Sequence, residues 1–250
     1  MLILPQQGII GGSSVSNVDT DYFTEVLNLS HLDLFYKMEE ASGACNDSSG
    51  NAVHLDVITN APTYGQPSII PSQAETCTKW GNSSDELRST LAPTFVGNAD
   101  WSFGGWVAGG SSGTNELLEI KTSSWGVPIR TNTGRWLRPG RPFGSIEMYQ
   151  NGDTTRDYLN APYGQFVGIT HDASASLFYG YLNGILINSY AAGTNWGSET
   201  SQYARVHCGA AGVGAKSIQG LFYTTDLVTA AEMLELYYAG VAGNINGPIP

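Results

Sequence analysis

Glycoside hydrolysis requires two carboxyl groups that face each other across a sugar bond. On one β-strand, two side chains share a face only when their positions differ by an even number. The segment that comes nearest to this pattern is Glu116-Leu117-Leu118-Glu119. A difference of three places Glu116 and Glu119 on opposite faces of a regular strand, so we expect no acid and nucleophile pair from this segment.

A polysaccharide lyase would need an arginine, a glutamine or asparagine, a histidine and a tyrosine in one groove. The sequence offers Arg205, His207, Tyr149 and Tyr179, but no motif places them together. His171 and His207 fall in segments typical of β-strands, where a hydrogen-bonded structural histidine is the commoner finding. Phosphate-binding, serine-hydrolase and metalloprotease motifs are absent from the sequence. We therefore predict that the chain is not an enzyme.

Sugar binding is a function for which suitable residues are present. It needs an aromatic platform beside amide and carboxylate groups on exposed loops. In the segment from Ala191 to Gln202, Asn195 and Trp196 fit this requirement best, and Trp125 and Tyr163 are further candidates. Tryptophan is also a common core residue. A carbohydrate contact and a core position therefore both stay open for Trp196.

Basic residues mark a second candidate surface. Four of the 11 Lys and Arg residues fall in one short segment that also contains Trp136, namely Arg130, Arg135, Arg138 and Arg141. Arginine beside aromatic residues is typical of docking surfaces and of sites for anionic saccharides. The alternative is a loop whose arginines pair with nearby carboxylates such as Glu119.

The composition indicates one domain built from short strands. The 250 residues are 41% hydrophobic and 13% charged, with 31 glycines and 11 prolines, and β-sandwiches of this length often form a single unit. The balance of 11 Lys and Arg against 22 Asp and Glu argues against nucleic acid or an anionic membrane as the main partner. No run approaches the ~18 apolar residues of a membrane span, so we expect no membrane insertion.

A three-stranded meander lies between Gln165 and Tyr190. Its second turn is Asn183-Gly184, a strong hairpin signal because a type I′ turn needs positive φ at both positions. From Trp101 to Ala108 both alternating sets of side chains are bulky, which predicts a strand packed on two sides. Further strands are predicted at Leu32–Met38, His54–Ile58, Cys77–Trp80, Leu117–Thr122, Gly126–Thr131, Ser145–Gln150, Ala204–Gly209 and Gln219–Thr224.

One helix is predicted near the C-terminus. Thr229 and Glu232 form a capping box, in which each side chain bonds the other residue's backbone N–H. Gly240 is expected to end the helix in the C′ position. The apolar stripe that would pack on the sandwich, or receive a partner helix, consists of Leu234, Tyr237 and Tyr238.

Three motifs in order resemble the laminin-G and concanavalin A-like lectin/glucanase family. The meander carries Phe166, Ile169-Thr170-His171-Asp172 and Tyr181-Leu182-Asn183-Gly184-Ile185-Leu186. An opening strand at Leu34 to Gly43 precedes the turn Asp47-Ser48-Ser49-Gly50-Asn51, and a closing strand and helix run from Ile218 to Tyr238. The resemblance covers about residues 32 to 240.

The resemblance implies a two-sheet antiparallel jelly-roll sandwich of the concanavalin A-like type. It also implies a non-enzymatic virion protein, as on phage heads, fibres or tails, assembled in the host cytoplasm and shown on the virion surface. Its expected partners are other virion proteins, further copies of itself, with a trimer slightly favoured, and cell-surface or environmental glycans. A polysaccharide-active enzyme and a secreted lectin are the alternatives.

Relatives of this fold bind Ca²⁺, and Asp47, Asn51 and Asp172 lie in turns that match theirs. No dense carboxylate loop is present, so Ca²⁺ is possible but we predict no metal site and no cofactor. The three cysteines, Cys45, Cys77 and Cys208, show no metal-binding spacing. We expect free, mostly buried thiols, with Cys45 and Cys77 as the pair to check.

Residues 1 to 30 differ in composition from the rest and contain no Lys or Arg. We expect them to form an N-terminal arm, followed by the sandwich over residues 31 to 250. The arm has no basic region before its apolar start, so we expect no secretory signal. It packs either on its own sandwich or on a neighbouring subunit, through Leu2, Ile3, Leu4, Ile9 and Ile10.

Overall fold

The predicted strands assemble into two antiparallel sheets packed face to face in a computed structural model of the chain. The structure describes residues 21–81, 85–109, 114–122, 126–132, 135–139, 164–191, 201–207 and 216–241. In chain order the elements are α1 (Tyr22–Leu27), β1 (Leu32–Tyr36), β2 (Val57–Thr59), β3 (Thr63–Pro67), β4 (Thr76–Trp80), β5 (Glu86–Arg88), β6 (Trp101–Gly109), β7 (Thr114–Thr122), β8 (Gly126–Asn132), β9 (Arg135–Pro139), β10 (Gln165–Asp172), β11 (Leu177–Leu182), β12 (Ile185–Ala191), β13 (Ser201–His207), β14 (Lys216–Thr224) and α2 (Ala230–Val241).

The large sheet has eight strands in the order β12-β11-β10-β6-β14-β4-β3, with β1 also paired to β14. The small sheet has the order β2-β5-β13-β7-β8-β9. All pairs among the described strands are antiparallel. The predicted antiparallel two-sheet sandwich with a C-terminal helix is therefore confirmed.

Several strand predictions need correction. The strand predicted over His54–Ile58 begins only at Val57, because Leu55 instead forms an isolated bridge with Cys45. Strands β3, β5 and β9 escaped the sequence pattern: β3 contains Gly and Pro, and β5 has three residues, two of them charged. The strand predicted at Ser145–Gln150 lies outside the described residues.

The space between the two sheets holds the inner cluster of buried side chains. Trp80 and Trp101 are fully buried in it, and the small sheet contributes residues such as Leu118 and Val206. Each large apolar side chain buried in this way stabilises the fold by about 1.5–3 kcal/mol. Strand β6 also carries Trp106, which packs in a second cluster. The prediction of a strand packed on both faces is therefore confirmed.

The second, outer cluster fills the space between the large sheet and the two helices. Its sheet residues include Trp106, Phe166 and Phe222, and α2 contributes Met233 and Leu236. The large sheet is thus covered by the small sheet on one face and by helices on the other. A sheet buried on two faces needs apolar residues at successive positions rather than at alternate ones.

Helix α1 was not predicted from the sequence. The Asp21 carboxylate caps it by accepting a hydrogen bond from the Thr24 backbone N–H at 2.9 Å. Tyr22 is fully buried, and its hydroxyl donates to the Gly220 carbonyl oxygen at 2.7 Å. Although α1 lies within residues 1 to 30, its side chains belong to the outer cluster. The boundary between arm and sandwich at residue 30 stays a prediction.

The capping box of α2 is confirmed. The Thr229 N–H donates to the Glu232 carboxylate at 2.7 Å, and the Glu232 N–H donates to the Thr229 hydroxyl at 3.3 Å. Gly240 does not end the helix, which continues to Val241. It lies against Trp106 instead, where a β-carbon would come within 2.2 Å of the indole ring.

The apolar stripe predicted on α2 differs from the face of the helix that is buried. The buried residues of the helix are Met233, Leu236, Ala239 and Gly240, whereas Leu234 and Tyr237 are half-buried and Tyr238 is 44% exposed. The helix therefore meets the sheet with a face rotated from the predicted one.

The hairpin between β11 and β12 has the turn that its sequence predicts. Asn183 and Gly184 have φ values of 51° and 74°, so the positive φ that a type I′ turn needs is present at both positions. Gly184 also packs on α2, where a β-carbon would lie 2.7 Å from the Leu234 Cα. Two independent constraints therefore require glycine here.

We expect Gly184→Ala to lower the free energy of unfolding by about 2–4 kcal/mol, because strain at positive φ and a clash with the α2 backbone add. Gly65→Ala is the matched control, since Gly65 has φ +65° with no atom within 4 Å of a β-carbon. Urea unfolding of the two variants measures the difference. Equal losses in both would show that the contact between the turn and α2 is unimportant.

Candidate functional site

One end of the sandwich collects several strand ends, and we call it the loop end. Strand β7 finishes there at Thr122, whose Cα partner is Ser201 at the start of β13. Strand β8 starts there, because Gly126 pairs with Lys121. The last residue of β12, Ala191, pairs with Leu177 beside the β10 and β11 turn. The chain therefore leaves and re-enters both sheets in this region.

The segment over residues 89–100 joins the two sheets at the loop end. On the small sheet, the Ser201 hydroxyl donates to the Pro93 carbonyl oxygen. On the large sheet, the Ala173 N–H donates to the Asp100 carboxylate at 2.8 Å. These contacts place the starts of β6 and β13 at the same end of the molecule.

Three of the four predicted sugar-binding residues belong to segments that begin or end at the loop end. Trp125 lies between β7 and β8, and Asn195 and Trp196 lie between β12 and β13. All three lie outside the described residues. The fourth, Tyr163, also lies outside them, and the next residue, Gly164, precedes β10 at the opposite end of the sandwich. The described strand ends that flank the first three residues thus meet at the loop end, whereas the strand that follows Tyr163 starts at the opposite end.

The predicted docking residues fall mostly outside the described part of the chain. This applies to Arg141 and to the arm residues Leu2, Ile3, Leu4, Ile9 and Ile10. Arg135, Trp136 and Arg138 belong to β9 at the edge of the small sheet, and Arg138 is the Cα partner of Arg130 in β8. The docking role of these residues stays a prediction.

Arg205 and two glutamates of the small sheet form an ionic cluster. The Arg205 guanidinium donates from Nε to the Glu119 carboxylate and, at 3.0 Å, from Nη1 to that of Glu86. Glu119 is 4% exposed. This arginine therefore holds the small sheet together across β5, β13 and β7.

The residue types considered for a lyase are not assembled in the described part of the chain. Arg205 lies in β13 of the small sheet, whereas Tyr179 packs against the outer cluster of the large sheet. Tyr149 and the side chain of His207 lie outside the described residues. The register of β7 with β8 also shifts between Glu116 and Leu118. The alternation of side chains between the two faces of a regular strand therefore does not hold unchanged from Glu116 to Glu119.

Asp47 organises the turn that was considered for calcium. One carboxylate oxygen accepts the Phe35 and Ser49 N–H groups, both at 2.9 Å, and the other accepts the Ser49 hydroxyl at 2.8 Å and the Val53 N–H at 3.1 Å. The Asn51 amide donates to the carbonyl oxygens of residues 32 and 33. These groups already bind the protein backbone. Among the described residues, no cluster of His, Cys, Asp and Glu could hold a metal ion.

His171 is a structural histidine. It is 4% exposed, and its Nδ1 lies 2.8 Å from the Ala99 carbonyl oxygen. Its ring packs against Phe178 with 4.8 Å between centroids and against Trp101 with 5.4 Å. Burial lowers the pKa of this imidazole, although the hydrogen bond with Ala99 and the nearby Asp100 and Asp172 oppose the shift. The neutral ring therefore stabilises the segment that closes the loop end.

Cys45 and Cys77 are both free and buried. Cys45 belongs to the inner cluster and Cys77 to the outer one, so the large sheet separates them. Burial raises the pKa of both thiols. The expectation of free, buried thiols is confirmed for these two residues, and Cys208 lies outside the described part.

No helix among the described residues is long and apolar enough to cross a membrane.

Solved structures with a similar fold include receptor-binding domains of botulinum neurotoxins and the binding domain of a mosquitocidal protein. The receptor-binding domain of the botulinum neurotoxin C/D mosaic serotype matches with a TM-score of 0.63 and 13% identity over 83% of this chain. The binding domain of Paraclostridial Mosquitocidal Protein 1 matches with 0.63 and 13% over 86%, and that of botulinum neurotoxin type G with 0.60 and 16% over 83%. No family model and no curated protein matches the sequence.

This chain spans about half the length of those structures, covering 51%, 53% and 51% of them. At such low identity the likeness is one of fold. It establishes a β-sandwich of the kind found in these binding domains.

We expect Asp47→Asn to lower the free energy of unfolding by about 1–3 kcal/mol, because an amide NH₂ cannot accept the hydrogen bonds of the oxygen it replaces. Asp172→Asn is the control, since a single oxygen of Asp172 accepts the Ser174 hydroxyl and the Ala175 N–H and an amide oxygen can do the same. Thermal unfolding compares the two. An equal effect would argue against Asp47 as the organiser of its turn.

We expect stability to fall below about pH 6.5 partly because of His171. Its pKa is lowered in the folded state, so the unfolded chain takes up this proton at a higher pH than the folded chain, and acidification favours unfolding. As the pH falls, the loss of stability should begin near the ordinary histidine pKa and should level off below the pKa of His171 in the folded state. His171→Gln should show a smaller drop in melting temperature between pH 7.5 and pH 5. Identical drops would exclude this contribution.

Proposed function

We propose that this chain is a non-enzymatic adhesion domain that binds a glycan or a cell-surface receptor at the loop end of its sandwich. The observation that carries the proposal is the pairing of Thr122 with Ser201 and of Lys121 with Gly126. These pairs bring the ends of the segments containing Trp125 and Trp196 together. Exposed segments on a rigid β-scaffold are where binding residues concentrate.

The fold of the neighbours supports a binding role. The matching structures are named as receptor-binding domains of neurotoxins and as the binding domain of a mosquitocidal protein. In this chain, the buried Glu119 is held by Arg205, and His171 is buried against Ala99 and two aromatic rings. These potential acid–base groups serve the scaffold, which favours binding over catalysis.

We further propose that the domain is displayed on a phage virion, as a head decoration, a fibre or a tail-associated subunit. The support is the laminin-G-like resemblance of residues 32 to 240 and the uncharged start of the chain. The basic segment with Arg135, Trp136, Arg138 and Arg141 would contact other virion proteins, and the chain would form a homo-oligomer, with a trimer favoured. Proteomics of purified particles and light scattering of the isolated chain test these points.

Glycan-array and cell-binding assays test the adhesion site. We expect Trp196→Ala and Trp125→Ala each to weaken binding at least about tenfold, which corresponds to about 1.4 kcal/mol of lost contact. Tyr238→Ala is the control, because Tyr238 is an exposed aromatic residue on α2, away from the loop end. Unchanged binding in both tryptophan variants would overturn the site, and cleavage of any bound polysaccharide would overturn the non-enzymatic class.

A further inference from the structure

An exposed apolar patch lies where the β11 and β12 hairpin meets α2. Ile185 and Leu186, at the start of β12, are 64% and 46% exposed, and Tyr238 on α2 is 44% exposed. Leu234 and Tyr237 on the same helix are half-buried. We call these five residues the hairpin–helix patch. They are not part of the loop end, because the turn lies at the other end of β11 and β12.

The patch is continuous across the hairpin and the helix. A β-carbon on Gly184 would lie 2.7 Å from the Leu234 Cα and 3.0 Å from the Tyr237 Cβ, so the turn is in direct contact with α2. Tyr237 and Tyr238 have ring centroids 5.7 Å apart. Positions 234, 237 and 238 share one face of a helix, and Ile185 directly follows the turn.

The strand beside the patch lies at the edge of the large sheet in the described part of the chain. Among the described strands, β12 pairs with β11 alone. Its sequence, Ile-Leu-Ile-Asn-Ser-Tyr-Ala, contains no charged residue and no proline. Edge strands are normally blunted by lysine, proline or a bulge, or are covered by another segment. β12 has one of these features, because its pairing with β11 shifts register between Gly180 and Tyr181 and leaves an extra residue in β12. The exposed apolar side chains of Ile185 and Leu186, rather than the backbone edge, are therefore what a covering segment would bury.

The segment that fits is the start of the same chain. Residues 1–18 contain no Asp, Glu, Lys or Arg, and they include the apolar runs Met1–Leu4 and Ile9–Ile10. The segment joins the described chain at Asp21, and the following helix α1 packs beside α2. Twenty residues can extend about 66 Å, far more than the roughly 19 Å of the four strand spacings from β14, which holds Tyr22, to β12. The patch is therefore within reach.

Charge favours this segment over a second copy of the protein. Glu232 and Glu235 are exposed on α2 beside the patch, and the chain carries a net charge of −11. Two copies meeting at this patch would bring like charges together, which disfavours association. Residues 1–18 contain no Asp or Glu, so they bring no like charge to these carboxylates.

We infer that the N-terminal arm folds back in the same molecule and covers the hairpin–helix patch with Leu2, Ile3, Leu4, Ile9 and Ile10. The tether raises the effective concentration of the arm at the patch. Covering the patch removes the exposed side chains of Ile185, Leu186 and Tyr238 from solvent, which stabilises the folded-back arm.

Hydrogen exchange on the full-length chain tests this inference. In the variant with Leu2→Ser, Leu4→Ser and Ile9→Ser, peptides over residues 183–191 and 230–241 should exchange roughly tenfold faster. Peptides of β6 and β14 should not change. Unchanged exchange over the patch would overturn the inference.

A second variant approaches the same contact from the patch. Leu186→Lys leaves the arm sequence intact and should release the arm, so that limited proteolysis within residues 1–18 becomes faster. Leu91→Lys is the matched control, because Leu91 is 55% exposed and lies in the segment at the loop end. Equal cleavage rates in both variants would contradict the inference. A wild-type dimer that Leu186→Lys dissociates would show that a second copy occupies the patch.

Discussion

The large sheet depends on a bulge in its central strand, β14. Between Gln219 and Phe222, β14 advances three residues while β6 advances two, from Trp106 to Gly104. Gly220 supplies the extra residue with φ +63°, a conformation that glycine adopts without strain. The bulge lets β14 pair with β4 before it and with β1 after it. One strand therefore joins three others around a single irregular position.

The same bulge anchors the outer layer. The Gly220 carbonyl oxygen accepts a hydrogen bond from the Tyr22 hydroxyl, and the Gly220 N–H donates to the Lys37 carbonyl oxygen at 3.1 Å. Tyr22 then packs edge-to-face on Trp106 and Phe166, each with ring centroids 6.0 Å away. On the other side of Trp106, Tyr237 stacks at 5.9 Å. Both helices are thus held on the large sheet through the neighbourhood of one bulge.

The two ends of the sandwich differ in the side chains that they present. At the loop end, the buried His171 and the segment over residues 89–100 pack where the strands that flank Trp125 and Trp196 begin or end. At the other end, the turn at Gly184 is pressed on α2 and leaves apolar side chains uncovered. Adhesion and the packing of the N-terminal arm are therefore proposed at separate places on one scaffold.

Local features could be read directly from the sequence. The turn at Asn183-Gly184, the capping box of Thr229 and Glu232 and the two-sided strand β6 depend on residues close in the chain, and each was confirmed. The sequence resemblance also led to the sandwich. The proposed sugar-binding residues could be chosen by type alone, because nothing local reports which loops share an end.

Tertiary structure decided the features that join distant residues. Helix α1 is six residues long, too short to be stable by itself, and it exists because Tyr22 reaches Gly220, 198 positions away. Gly240 was predicted to end α2, but in the structure its lack of a side chain makes room for Trp106. Glu119 is held by Arg205, 86 positions away. The sequence by itself determined turns, caps and strand faces through neighbouring residues. Only the folded chain decided which face of α2 is buried and which strand ends meet, because those depend on long-range packing.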